Sequence, residues 1–310
     1  MKHPRMGPDE SLQEVFDKWK SKLSLEEAVW VEQFMNADVV SDTATSPRNL
    51  SAWYFDAGED LKGPSQFLRQ GFSQIYNYFA QGMNIQLETV VSKINYASNQ
   101  DCAVSVTTSK GVYKAKYAVV VTVPIGVLKA GVIEFIPDLP SKKKRAIERI
   151  GSGNLNKLYM AFSHKFWNRS VQVFANMSAS CTKIASFWNA CSIYPKHNML
   201  LAFYGGDFAH EIEPSSCDQK EAIFKQILVD CFGEFESEII WWTTSAWETD
   251  PFARGSYSYL SPGAKPADIE TLAAPIEEKL FFAGEATSKA YAATAHGAWQ
   301  SGCDVVDNNY

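Results

Sequence analysis

Long apolar runs are absent from this chain of 310 residues. No stretch approaches the roughly 18 consecutive apolar residues of a membrane-spanning helix. Met1-Lys2-His3-Pro4 opens no apolar leader. An excess of positive charge is absent too. The formal net charge is -6, which argues against a general nucleic-acid binder and mildly favours a cationic partner. The six cysteines, at 102, 181, 191, 217, 231 and 303, form no CxxC pair, so no metal site is expected. No carboxylate pair or Ser-His-Asp order stands out, and there is no internal repeat or low-complexity tract. A glycine-rich strand-to-helix turn is missing as well. The nearest glycine pair is Gly151-Ser152-Gly153, with Asn156 where a third glycine would stand. It follows a predicted helix and precedes a predicted strand, the reverse of the order a phosphate-holding turn needs.

What is present is an ordinary soluble balance, 46% hydrophobic and 21% charged. The length suffices for a large core, or for two lobes. Aromatics make up 13%, with nine Trp, which suits either an aromatic-lined cavity or a bulky core. Asn-x-Ser sequons begin at Asn49, Asn168 and Asn176 and only hint at secretion. Cys181 and Cys191 suit a cross-link in an oxidising compartment or two reduced core thiols; the second is the expectation.

Two helices are predicted over 11–36, the second opened by the capping box Ser24–Glu27. Residues 41–66 read as loop, carrying the acidic residues Asp56, Glu59 and Asp60. A short helix, Phe72–Ala80, stops at Gly82. Thr89–Tyr96, Cys102–Thr108 and Val112–Tyr117 read as an antiparallel meander. Ala118–Thr122 reads as a strand buried on both faces. Ser141–Ile150 is a predicted helix whose Lys142-Lys143-Lys144-Arg145 start should form a solvated basic face. Strands are expected near 155–162, 171–175, 183–188, 199–204, 239–247 and 279–283, with helices at 219–232 and 294–306. His296, in the last helix, is expected to be packed and satisfied. The fold class is α/β plus α+β.

Four segments carry a resemblance. They are Val119-Val-Val-Thr-Val-Pro124-Ile-Gly-Val-Leu128; Gly153-Asn-Leu-Asn-Lys157 ending in Phe166-Trp167; Trp247-Glu-Thr-Asp250-Pro-Phe-Ala-Arg254-Gly-Ser-Tyr257-Ser-Tyr259; and Phe281-Phe-Ala-Gly284-Glu285-Ala-Thr, followed by Thr294-Ala-His296-Gly297-Ala and Ser301-Gly302. In this order they resemble flavin-containing amine oxidases, both polyamine oxidases and flavin-dependent histone lysine demethylases, from about residue 50 to the end.

The resemblance implies a two-lobed fold. Residues 83–137 and 265–310 would form a partial FAD-binding lobe, and 1–82 and 138–264 a substrate-binding lobe with a mixed sheet. The family's glycine-rich unit, which holds the FAD pyrophosphate, has no counterpart here. A matching lysine, Lys157, would hold a water at flavin N5. Thr294 and the Ala295 amide, heading the last helix, would face flavin N1 and stabilise the reduced state. Glu285 would accept from the ribityl hydroxyls. Val91, Val123, Pro124 and Gly284 match positions that pass the cofactor. Trp247, Tyr257 and Tyr259 would wall the substrate, and Asp56 and Glu59 would steer a cationic one.

The activity implied is oxidation of a polyamine or similar secondary amine, with hydride transfer to FAD and release of hydrogen peroxide. Threonine at 294, where many polyamine oxidases carry an aromatic, leaves room for a bulkier, peptidyl-lysine-type amine. A truncated, non-catalytic homologue that pairs with another chain is the alternative. A desaturase-type flavoenzyme is disfavoured by the segments 154–157 and 250–259.

Overall fold

The computed structural model describes residues 7–59, 61–63, 68, 70–97, 102–175, 183–184 and 186–309. Asp60 and Cys181 lie outside the described residues. Helices and sheets alternate along the chain, as the expected mixture of α/β and α+β requires. Three apolar cores organise them.

The first core is N-terminal. Ser11 and Ser24 each close a capping box, with Glu14 and Glu27, and so start α1 (Leu12–Lys20) and α2 (Leu25–Phe34). A π turn (Met35–Val39) leads into α3 (Val40–Thr43), which Ala44 ends in a left-handed conformation. Phe16, Met35, Val39 and Leu50 pack together, with Tyr259 against them. The Ala44 carbonyl accepts from Asn154 N–H at 2.7 Å and ties this unit to the rest. The short α4 (Ser73–Phe79) follows.

The second core lies between several small sheets. β1 (Val91–Asn95), β2 (Val104–Thr108) and β3 (Gly111–Ala115) form the expected antiparallel meander. β4 (Val119–Val121) leads through α5 (Ile125–Ala130) to β5 (Glu134–Ile136), which adds to β1 in parallel. α6 (Ser141–Arg149) and β6 (Ile150–Ser152) follow. Ile94, Tyr96, Val121, Ile125, Ile147, Leu272 and Phe282 are among the residues at the centre.

The third core belongs to a five-stranded antiparallel sheet. Its strands are β7 (Leu155–Phe162), β8 (Val173–Ala175), β9 (Ser186–Asn189), β10 (Met199–Gly205) and β11 (Ile239–Thr244), in the order β11-β7-β10-β9-β8. α7 (Gly206–Ile212) and α8 (Cys217–Phe232) cover one face. Leu158, Met160, Phe162, Leu200 and Tyr204 meet Phe208, Phe224, Ile227 and Leu228 there. β12 (Ser258–Leu260) pairs with β6, α9 (Pro266–Ala273) packs on α6, and β13 (Leu280–Phe282) pairs with β4 in parallel. α10 (Ala295–Asn309) closes the described chain.

Three expectations need correction. β4 is not buried on both faces: Val120 is 45% exposed. Parallel strands are normally covered by helices on both sides; among the described residues β4 pairs with β13 alone, so its far edge is unpaired, and the Val120 side chain reaches solvent. The strand predicted over 239–247 stops at Thr244, because Lys157 N–H bonds to Ser245 Oγ instead of the Ser245 carbonyl that the next rung would need, and Trp247 enters a turn. The basic start of α6 is not uniformly solvated, since Lys143 is 3% exposed. Its Nζ donates to the carbonyls of Thr271, Leu272 and Ala274 at 2.6–3.0 Å, and lies over the Phe282 ring. These are the free carbonyls at the end of α9, where the helix dipole favours a cation.

Candidate functional site

β4 and β13 run parallel and end side by side, pairing Val121 with Phe282. Beyond their carboxyl ends lies a cavity of about 200 Å³, lined by Val121–Leu128 segment residues, by 282–287, and by Ser256 and Ala298. The carboxyl ends of parallel strands are where open α/β sheets hold ligands. Val123, Pro124, Gly284 and Glu285 all line it. Gly284 has φ 133°, a conformation closed to other residues, and its N–H bonds to Ser301 Oγ of α10 at 2.8 Å.

Glu285 follows directly. Its Oε2 accepts from Ser258 Oγ at 2.7 Å and from Ala293 N–H at 2.8 Å, and its Oε1 accepts from Ser258 N–H at 3.2 Å. Burial pushes this carboxyl above the ordinary glutamate value, against the pull of those three donors. A carboxylate offers about four acceptor positions. Three are filled by donors among the described residues, which leaves one position on Oε1.

Thr294 caps α10. Its Oγ1 accepts from Gly297 N–H at 3.0 Å and donates to the Tyr291 carbonyl at 2.7 Å. Ala295, the first helical residue, is exposed. His296 stacks edge-on against Tyr291, but its buried Nε2 has no hydrogen-bond partner among the described residues. The expected satisfied histidine is therefore packed but unsatisfied at Nε2.

Lys157 stands on the face of the five-stranded sheet opposite α7 and α8. It is exposed, with Nζ 5.7 Å from the Phe203 ring centre. Register puts Tyr159, Trp188 and Phe203 on the same open face. Tyr159 was legible as a neighbour of Lys157 on its own strand face; Trp188 and Phe203 were not, because a single strand's pattern does not say which strands lie beside it. Trp247 is 45% exposed in the turn after β11. Tyr257 donates from its hydroxyl to the Ser41 carbonyl at 2.7 Å, and burial raises its pKa well above the ordinary tyrosine value. Tyr259 contacts the same N-terminal unit. Its ring packs on the N-terminal core and lies against Gly151, where an added Cβ would come within 2.1 Å of it.

The sequence profile described as flavin containing amine oxidoreductase matches residues 11–308. The chain belongs to this family of flavin-containing amine oxidoreductases. Protein FLOWERING LOCUS D of Arabidopsis thaliana is 33% identical over 282 residues, covering 89% of this chain and 35% of that protein. Lysine-specific histone demethylase 1 homolog 2 of Oryza sativa subsp. japonica is 33% identical over 278 residues, covering 87% and 35%. A possible lysine-specific histone demethylase 1 of Drosophila melanogaster is 33% identical over 292 residues, covering 84% and 32%. The chain thus spans about a third of the length of these relatives.

FAD is the cofactor of this amine oxidoreductase family. The described residues fit one end of such a group: a cavity at parallel strand ends, one open acceptor position on Glu285, and an exposed helix start at Ala295. A volume of about 200 Å³ is below the roughly 300–1,000 Å³ of sites that hold a whole small molecule. Val91 begins β1 and packs against the second core. Asp56 and Glu59 are exposed, and the Glu59 N–H bonds to the Ala290 carbonyl at 2.7 Å. Their loop lies beside a second cavity, of about 120 Å³, that Asp42, Tyr54, Ser258 and Ala293 help to line. Among the described residues no cluster of metal ligands occurs. Ser258, the main donor to Glu285, was overlooked although it stands between the two tyrosines singled out.

Proposed function

We propose that this chain forms the amine-binding side, and one end of the flavin site, of an FAD-dependent amine oxidase. The observation that carries the reading is the cavity beyond β4 and β13, on which Val123, Pro124, Gly284 and Glu285 converge. Residues 83–137 and 265–310 are the flavin-side lobe of this reading, and 1–82 and 138–264 the substrate lobe. The separate core of the five-stranded sheet supports that division. The open edge at Val120 is where the strands of a pyrophosphate-binding unit would join, from this polypeptide or a second one.

FAD bound there would supply a hydride acceptor for the carbon next to the amine nitrogen, with oxygen as the final oxidant, reduced to hydrogen peroxide. Glu285 holds a sugar-chain hydroxyl, and the Ala295 amide at the start of α10 faces developing negative charge. Lys157 orients water for hydrolysis of the iminium product to free amine and aldehyde. Trp247 and Tyr257 position the amine, and positioning supplies much of the rate.

The substrate favoured is an N-alkylated lysine side chain on a polypeptide. Thr294 leaves space where an aromatic would narrow the site, and the relatives are named as lysine-specific demethylases. A free polyamine is the second reading, favoured by the exposed acidic pair Asp56 and Glu59. The test is peroxide release by the FAD-supplied protein with an N-methyl-lysine peptide and with spermidine. Release with the peptide, lost in K157A, supports the first reading. Release with spermidine alone supports the second, and silence with every amine while flavin is bound contradicts both.

A further inference from the structure

The strand bearing Lys157 and the turn bearing Trp247 meet on a buried carboxylate from elsewhere in the chain. Glu213 follows α7 and is 3% exposed. Its Oε2 accepts from Nδ2 of Asn154 and Nδ2 of Asn156, each at 2.8 Å. Its Oε1 accepts from the N–H and the Oγ1 of Thr249, at 2.6 and 2.8 Å. A second layer extends the network. Asn156 Oδ1 accepts from Ser245 Oγ at 2.8 Å and from Trp247 N–H at 3.4 Å. Ser245 Oγ in turn accepts from Lys157 N–H at 2.9 Å. Asn154 Nδ2 also reaches Glu248 Oε2 at 3.3 Å, and Glu248 binds His210 Nδ1 at 2.6 Å.

None of the four donors to Glu213 is a cation. Burial alone would push this carboxyl up, but the donors outweigh it and hold it below the ordinary glutamate value. All four acceptor positions are taken, so a proton on Glu213 would face donors only. The charged form is thus built into the fold. Any buried carboxylate needs donors; what sets this one apart is which residues supply them. Here its partners are the residues that fix the main chain of Lys157 and the turn of Trp247.

We propose that Glu213 is a positioning residue of the amine site, setting the main-chain placement of Lys157 and of the Trp247 turn through Asn156 and Ser245. The inference rests on Lys157 and Trp247 being site residues, as read above. Packing of Leu158 and Met160 on α8 holds the sheet itself. Loss of the carboxylate therefore loosens the site before it unfolds the lobe.

The test uses the flavin-free protein, labelled with ¹⁵N-lysine and ¹⁵N-tryptophan, with the Lys157 and Trp247 backbone amides assigned by K157R and W247F. Glu213→Gln places a donor against donors and shifts both signals. The swap E213Q/N156D restores one carboxylate to the pair and returns them toward wild type. In the wild-type protein both amides move together on acidification, with a midpoint below the ordinary glutamate range. The titration is repeated in E248Q, which silences the neighbouring His210–Glu248 pair. Signals that stay in place in E213Q while the melting temperature falls would overturn the proposal. If E213Q does not fold, amides indifferent to pH in the wild-type protein overturn it equally. No flavin or amine enters this experiment, so an inactive or colourless protein bears on the proposed activity and not on this result.

Discussion

Lys143 is buried because three backbone carbonyls at the end of α9 need donors that the helix cannot supply. Lys143→Met keeps the stem and removes the donors, leaving those carbonyls unpaired at a cost of about 3 kcal/mol. Burial draws the Lys143 pKa from 10.5 down to about 8. Between those values the unfolded chain binds a proton that the folded chain does not, so on this account stability rises with pH across the window. Urea melts at pH 7.5 and 9.5 should show that rise in the wild-type protein and not in K143M. The sequence read this lysine as one of four solvated cations, since nothing local distinguishes it from Lys142 or Lys144. Glu213 was equally illegible, because its donors lie 36 to 59 residues away along the chain. Lys157, Glu285 and Thr294 were legible only through the segments around them. What the sequence could not supply was their partners, Ser258 and Ser245 among them.

At the scale of elements, legibility followed length and local chemistry. Capping boxes start the helices after Ser11, Ser24 and Ser216, and the one at Ser24 was read from the sequence. The meander showed in alternation and turn residues. α5, α7 and α9 were not foreseen: each is at most eight residues long and set by packing rather than by periodicity. α7 starts at Gly206, with φ 55°, where an added Cβ would meet Ser46 Oγ at 2.6 Å. α10 offers a test of its own. An added Cβ at Gly297 would lie 1.9 Å from the Tyr291 carbonyl oxygen, whereas Gly302 has open space. Gly→Ala within a helix ordinarily gains up to about 1 kcal/mol. G302A should therefore be neutral or stabilising. G297A should cost more than about 2 kcal/mol and displace the 291–293 loop, whose Ala293 N–H holds Glu285. Thermal melts of the two variants check the contrast; equal effects would mean that the close approach of α10 to Tyr291 does not exist.

For the whole molecule, the chain carries a five-stranded sheet with its own core and a short parallel pair whose Val120 reaches solvent. On the proposed function, cofactor and amine would meet near the carboxyl ends of β4 and β13, where the cavity lies. Whether flavin stays with this chain decides the proposed function. The deciding measurement is the visible absorbance spectrum of the purified protein after incubation with FAD and gel filtration, with E285Q alongside. Flavin bands that elute with the wild-type protein and weaken in E285Q are the predicted result. A colourless protein after FAD has been supplied would contradict it, and would leave the cavity beyond β4 and β13 without its proposed occupant.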